Sequence, residues 1–453
     1  MRLFVSCLAV AVLASTAAAQ TRDRARIAAA VDSIVGEALK AGRAAGMSVA
    51  VVRGRDTIVM KGYGYADLEF DVATPPRAVY EIGSVTKQFT AAAVLLLQEQ
   101  GKLSLEDELT KYLPNYATHG RRITLRRLLD HTSGIKGYTE MPEFGALMMR
   151  KLPRDSLVAL FSSRPFDFEP GEAQIYNNSA FFLLGLVIEK ASGQTYEEFV
   201  SKHLFERAGM RDSRYCSERA VVKNRAHGYD APPTGSLLRA AYLDHTWPYA
   251  AGSLCSSVQD LIAWNHALHG GRLLSSSSYR EFIAPGTLND GTRLRYAKGI
   301  VVDSMLGRRV IHHGGGINGF LSDLKYFPDD SLHVAVLVNT AGPVAPGGIS
   351  QRIAETIFGR WSLKGVGFTG KADDYVGEYR GVGRGRETII NVVASEGQGI
   401  ARGLANGGSA PLLYLGGEEF DSNGARLTFV RAGGRVTRLR FHAGSTYSIL
   451  TRR

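Results

Sequence analysis

Residues 46–62 read GMSVAVVRGRDTIVMKG, two β-rich runs (46–52 and 57–62) joined by Gly54-Arg55-Asp56, the composition of a hairpin. A second such pair lies far along the chain, where residues 323–327 and 332–339 flank Pro328-Asp329-Asp330. Between the hairpins the sequence is mostly helical. Residues 85–100 are a run of helix formers closed by Gly101, and residues 181–191 and 259–268 are two further helices. Ser104 and Asp107 have the spacing of a capping box for another. Ahead of the first hairpin, residues 22–42 carry Ile27, Val31, Ile34, Val35 and Leu39 at helical spacing. Strands at both ends with helices between them predict an α+β fold: an antiparallel sheet built from both ends of one domain, covered by helices, with a helical subdomain.

Past Trp361 the texture changes to short alternating runs rich in glycine and arginine, among them residues 388–393, 411–415 and 426–431. This predicts a small all-β domain over 367–453, linked through 360–366 to a main domain over 20–360. Residues 1–19 have Arg2, an apolar run over 3–13 and the ending Ala17-Ala18-Ala19, the anatomy of a cleaved secretory signal. The run is shorter than the roughly 20 apolar residues a bilayer needs, so the expectation is a protein exported to the periplasm or beyond, with no stable membrane span.

The 453 residues are 45% hydrophobic and 21% charged, with a net charge of +11. The basic residues are scattered among acids and form no long run, which argues against nucleic acid. An anionic cell-wall or membrane environment fits better, and a solvated surface fits best. No zinc pattern is present, and neither a metal nor a cofactor is expected. Cys7 falls in the signal segment; Cys216 and Cys255 remain, either bridged or as two separate small apolar side chains.

A serine hydroxyl needs a neighbouring base before it attacks a carbonyl. Three Ser-x-x-Lys matches occur, at Ser84–Lys87, Ser133–Lys136 and Ser322–Lys325. On a helix, positions i and i+3 share a face about 4.5 Å apart along the axis; on a strand they point oppositely, which removes Ser322. Gly134 and Gly137 make Ser133 a turn residue. Ser84 alone opens a helix, where free backbone N–H groups can polarise a carbonyl; a simple N-cap serine is the competing reading of that motif by itself. Tyr176-Asn177-Asn178 is the one place among 19 tyrosines with Asn two positions later. A tyrosine titrates near 10, and a lysine cation beside it would favour the phenolate. Asn178 could then hydrogen-bond the acyl side chain of a substrate, and an Asx turn with a packing tyrosine is the stronger reading of this motif by itself. His-x-Gly occurs at His269, His312, His313 and His442; the two histidines before Gly314-Gly315-Gly316 adjoin bare backbone that a ligand can approach closely.

These patterns, in this order, resemble the β-lactamase-related serine hydrolases: class C β-lactamases, DD-peptidases, D-aminopeptidases and related esterases. The resemblance extends to Ser84-Val85-Thr86-Lys87-Gln88-Phe89-Thr90, Leu128-Leu129-Asp130-His131-Thr132-Ser133-Gly134-Ile135, Pro170-Gly171, Ala251-Gly252 and His313-Gly314-Gly315-Gly316-Ile317-Asn318-Gly319-Phe320, covering roughly residues 22–358. It implies Ser84 as nucleophile, and Lys87 and Tyr176 as proton carriers. It implies Asn178, His313 and Gly315 at the substrate, and the backbone N–H groups of Ser84 and Gly316 as the oxyanion hole. It makes His131 structural, and its register selects His313 over His312. The β domain resembles the lipocalin-like domains appended to some members.

The implied activity is acyl transfer to water from a D-amino-acid peptide, cell-wall derived or otherwise, or from a small ester. The partner is then that small-molecule or peptide substrate, and oligomers are compatible with the family. β-Lactamases mostly carry lysine where this chain has His313, which places β-lactam hydrolysis second. A penicillin-binding sensor that acylates without turnover is the non-enzyme alternative.

Overall fold

The computed structural model describes residues 2–453 apart from 42, 218, 396–398, 405–406 and 445, with side chains from Thr21 onward. The side chains of the expected signal segment, 1–19, therefore lie outside the described residues. The backbone runs as one helix, α1, over Arg2–Lys40. No described helix is long and apolar enough to cross a membrane.

The hairpin at 46–62 forms as β1 (Gly46–Arg53) and β2 (Asp56–Asp67), with Arg53 opposite Asp56 across a two-residue turn. A short β3 (Val72–Ala73) edges β2. The distant strands are β4 (Val301–Met305), β5 (Arg308–Ile317), β6 (Phe320–Phe327) and β7 (Leu332–Val338). Together they make a seven-stranded sheet in the order β3-β2-β1-β7-β6-β5-β4. β1 pairs antiparallel with β7, Ala50 opposite Ala335, so the two ends of the domain meet at the sheet's centre.

Both faces of β1 are covered, which is why its sequence is an unbroken apolar run. Met47, Val49 and Val51 pack with Ile27, Val31 and Val35 of α1 and with Ile353 of α5 (Pro346–Phe358). Ala50 and Val52 face the other way, into the larger helical core, as a period of two requires. That core is centred on α2 (Thr86–Glu99), every residue of which from Thr86 to Leu97 is buried. Against α2 lie α3 (Asn178–Ser192) and α4 (Val258–His269), with Phe89 stacked 4.0 Å from Trp264.

Ser104 and Asp107 open no helix. Ser104 N–H donates to Asp107 Oδ2 at 2.8 Å, closing a turn that leads into a single 3-10 turn, Leu109–Lys111. Leu109 and Leu105 are pulled into the core, and the chain has no room to propagate. Cys216 and Cys255 are bridged, Cα atoms 5.2 Å apart, pinning the strand Leu254–Ser256.

The C-terminal nine-stranded antiparallel sheet begins with β8 (Gly377–Val382) and β9 (Glu387–Ala394). Its two edge strands, Ser409–Pro411 and Leu413–Gly416, are consecutive in sequence, so the sheet curls into a nearly closed barrel around Tyr379, Ile390, Phe420, Leu427, Leu439 and Leu450. The barrel docks on the main domain by backbone bonds between Gln174 and Tyr447 (3.1 and 2.7 Å) and by Arg440 with Asp290 (2.8 Å).

Candidate active site

The chain enters the site at Ile82, bends through Gly83 with φ +49, and passes Ser84 in a 3-10 turn, Gly83–Val85, that feeds directly into α2. Ser84 and Lys87 thus share a face, and Lys87 Nζ lies 3.1 Å from Ser84 Oγ. The lysine side chain is buried, and burial first, then the Arg384 cation, pushes its amine well below the ordinary lysine range. Nζ also lies 2.8 Å from Asn178 Oδ1 and 2.8 Å from the Ala251 carbonyl, both pure acceptors. A neutral amine has two hydrogens and one lone pair. In the neutral form that burial favours, these two acceptors would take the hydrogens and leave the lone pair for the Ser84 hydroxyl.

Asn178 is therefore a holder of the lysine. Its Nδ2 donates to Thr139 Oγ1 at 3.1 Å, which fixes Oδ1 toward Lys87. The turn before α3 is shaped by Asn177, whose side chain caps Ala180 N–H and donates to the Ile135 carbonyl. That turn delivers Tyr176, whose ring centroid is 4.7 Å from Lys87 Nζ. Burial raises the phenol above its ordinary value, while Ser84 and Arg384 pull it part of the way back. The resting tyrosine is thus a phenol, and the phenolate favoured by an adjacent lysine charge does not arise because that lysine is itself driven toward neutrality.

His131 packs between Tyr176, Tyr296 and Phe181 at centroid distances of 4.4, 4.6 and 5.1 Å, and its Nδ1 accepts from Asn177 N–H at 3.2 Å. It supports the tyrosine loop from beneath. His313, on β5, is buried; its Nδ1 donates to the Gly314 carbonyl at 2.5 Å and its Nε2 lies 3.0 Å from the Tyr296 hydroxyl. Burial lowers its pKa to about 3, which favours the neutral imidazole, with Tyr296 then donating to Nε2. His313 stands 6.1 Å, centroid to centroid, from Tyr176.

Glycines bring β5 against the serine turn. A Cβ on Gly83 would fall 2.8 Å from Gly316 N, and one on Gly315 only 2.2 Å from the Ile82 carbonyl and 3.0 Å from Ser84 N. The backbone amides of Ser84 and Gly316 therefore belong to one small region, whereas Gly315 is a close-packing position with Ile82 filling its side-chain direction.

The remaining sequence candidates fall elsewhere. Lys136 pairs with Asp167 at 2.7 Å and Lys325 with Asp323 at 2.6 Å. His269 stacks on Tyr326, His312 is half-buried on β5 opposite Lys325, and His442 lies in the barrel. Four site contributors carried no local signal in the sequence: the Ala251 carbonyl, Tyr296, Glu140 and Arg384. Ala251-Gly252 had been recognisable only through its resemblance to family landmarks.

A sequence model of the Beta-lactamase family matches residues 31–356. Among curated proteins, the chain is similar to penicillin-binding protein 4* of Bacillus subtilis, 29% identical over 64% of this chain and 67% of that protein. It is similar also to the D-aminopeptidase of Brucella anthropi, 29% identical over 66% of this chain but 56% of the relative. Among solved structures, a D-stereospecific amidohydrolase from Streptomyces is 28% identical, with TM-score 0.62 over 73% of this chain and 98% of that one. An octameric penicillin-binding protein homologue from Pyrococcus abyssi shares the fold over 92% of this chain and 99% of that one, with TM-score 0.65 at 24% identity. With the family match spanning most of the main domain and falling on the residues that meet around Ser84, the chain belongs to the β-lactamase family of serine hydrolases.

Proposed function

We propose that Ser84 is acylated by the carbonyl of a peptide bearing D-amino acids or of a small ester, and that water then releases the acyl group. The observation that carries this reading is the Lys87 amine, buried, hydrogen-bonded to two carbonyl oxygens and directed at Ser84 Oγ. Lys87 takes the serine proton as the C–O bond forms. The Tyr176 phenol gives a proton to the leaving group and is reprotonated through Lys87. The amides of Ser84 and Gly316 stabilise the developing oxyanion. The substrate class draws on the D-aminopeptidase and D-stereospecific amidohydrolase relatives, and His313, neutral where β-lactamases mostly carry lysine, supports peptides and esters ahead of β-lactams. The proposed site is extracytoplasmic: the Cys216–Cys255 bridge fits an oxidising compartment.

Ser84→Ala assayed against p-nitrophenyl acetate is the direct test. Loss of about a thousandfold in kcat/KM is expected; parent-level hydrolysis overturns the assignment. Intact-mass analysis after a fluorophosphonate probe should place one adduct on Ser84, and turnover of the ester excludes the acylate-and-hold alternative. Nitrocefin turnover should be slow beside peptide or ester turnover.

A further inference from the structure

The site holds few positive charges that a substrate can use. Lys87 is driven toward the neutral amine, burial disfavours the charged form of His313, and Lys136 is tied to Asp167. Arg384 comes from the other domain, and among the described residues it gives only its Nε to a carboxylate, that of Glu140. It sits at the tip of the β8–β9 hairpin, closed by Gly383 N–H donating to the Arg386 carbonyl at 2.9 Å. Its Cζ lies 5.1 Å from the centroid of the Tyr176 ring.

The hairpin tip is built to rest there. Arg384 Nε donates to Glu140 Oε1, on the 3-10 turn Tyr138–Glu140 that also carries Thr139, the partner of Asn178. Gly385 has φ +70, and a Cβ on it would fall 2.3 Å from Glu140 Cβ, so only glycine lets the tip seat this closely. The Glu140 side chain is 10% exposed and the Arg384 side chain 46%: the acid is sunk beneath, and the guanidinium faces outward above the tyrosine.

A guanidinium has five N–H donors in a planar fork. With Nε on Glu140, the edge formed by the two terminal nitrogens matches a carboxylate in bidentate fashion. Tyr176 serves the leaving group in the mechanism above, so a charge stacked on its ring lies on the leaving-group side. We propose that Arg384 is a specificity-determining residue that binds a free carboxylate on the leaving-group side of the substrate, with Glu140 holding the fork in register. The barrel then completes the active site, and the preferred substrates are peptides ending in a free acid. This rests on the assignment of Ser84 and Tyr176, but its test is kept separate from turnover.

Binding of N-acetyl-D-alanyl-D-alanine and of its C-terminal amide is measured by calorimetry on full-length Ser84→Ala, with and without Arg384→Gln. The acid should bind Ser84→Ala about tenfold to a hundredfold more tightly than the amide, the range of one charge-assisted pair. Arg384→Gln should erase that difference while leaving the amide within twofold, and Arg384→Lys should keep part of it. Equal affinity for acid and amide with Arg384 present, equal weakening of both on its removal, or binding of neither overturns the proposal. The last two would leave Arg384 as a latch between domains. Because these proteins do not turn over, a negative result here leaves the ester assay on Ser84 to stand or fall independently.

Discussion

Ser84–Lys87 and Ser322–Lys325 share a spacing, both lysines are buried, and they do opposite things. On the turn entering α2 the pair shares a face, and Lys87 meets carbonyl oxygens and a hydroxyl. On β6 the pair diverges: Lys325 is 2.6 Å from Asp323, which also accepts from Ser350, while Ser322 turns away to donate to the Ile82 carbonyl at 2.8 Å. One lysine has no carboxylate among its described hydrogen-bond partners and is the proposed base. The other is neutralised by one, and its motif partner Ser322 braces the turn that carries the first serine. A motif acquires chemistry from the backbone that carries it and from the partner its charge is denied.

The sharpest way to break this contrast is to replace each lysine by methionine. Lys87→Met should lower kcat/KM by a factor of about 10² to 10⁴. Its effect on stability is opposite in sign to intuition: the unfolded chain binds a proton at Lys87 that the folded chain resists binding, so at pH 7 this lysine opposes folding, and the variant's Tm should hold or rise. Lys325→Met leaves Asp323 buried and unpaired, at a cost of about 3–5 kcal/mol, with activity per folded molecule retained. Thermal melts beside active-site titration decide between these outcomes; a stable but inactive Lys325→Met would collapse the contrast.

A smaller effect is expected from Asn178→Ala, which removes one of the two acceptors that aim the Lys87 lone pair. A fall in kcat of about tenfold to a hundredfold with KM little changed would mark Asn178 as a positioning residue; a change confined to KM would return it to the substrate.

The smallest effect separates the two kinds of buried base by pH. His313, His269 and His333 have folded pKa values lowered to about 3, against about 6.5 in an unfolded chain. As pH falls through that window the unfolded state takes up protons first, so stability is full above about 6.5 and is lost progressively toward 3. Tm should decline from pH 7 to pH 4. The acid limb of kcat/KM should follow the Lys87 amine, rising with pH, and His313→Gln should leave the position of that limb unchanged.

The part of this fold legible in the sequence was the part written in local periodicity: the two hairpins, α2, α3, α4 and the strands of the barrel. Ser84, Lys87 and Tyr176 each carried only a weak local signal, a helix-opening Ser-x-x-Lys and a Tyr-x-Asn, and it was their order along the chain, resembling one family, that singled them out. Tyr296, Glu140 and Arg384 were not legible, since each reaches the site through contacts made only when distant segments meet, and Arg384 is one arginine among many in a glycine-rich stretch. The Cys216–Cys255 bridge was one of two open readings until the Cα separation decided it. Ser104–Asp107 shows the reverse error, a valid cap signal overruled by the burial of Leu105 and Leu109.

The pairing of β1 with β7 has a bearing on the order of assembly. A ribosome makes residues 46–53 long before residues 332–338, so the central strand must wait, edge exposed, while nearly the whole domain is synthesised. Any chain cut short before Val338 leaves that edge unsatisfied. Release of the final strand is then the step that commits the domain to its native topology, and a holding chaperone would find its natural target in the orphaned β1–β2 hairpin.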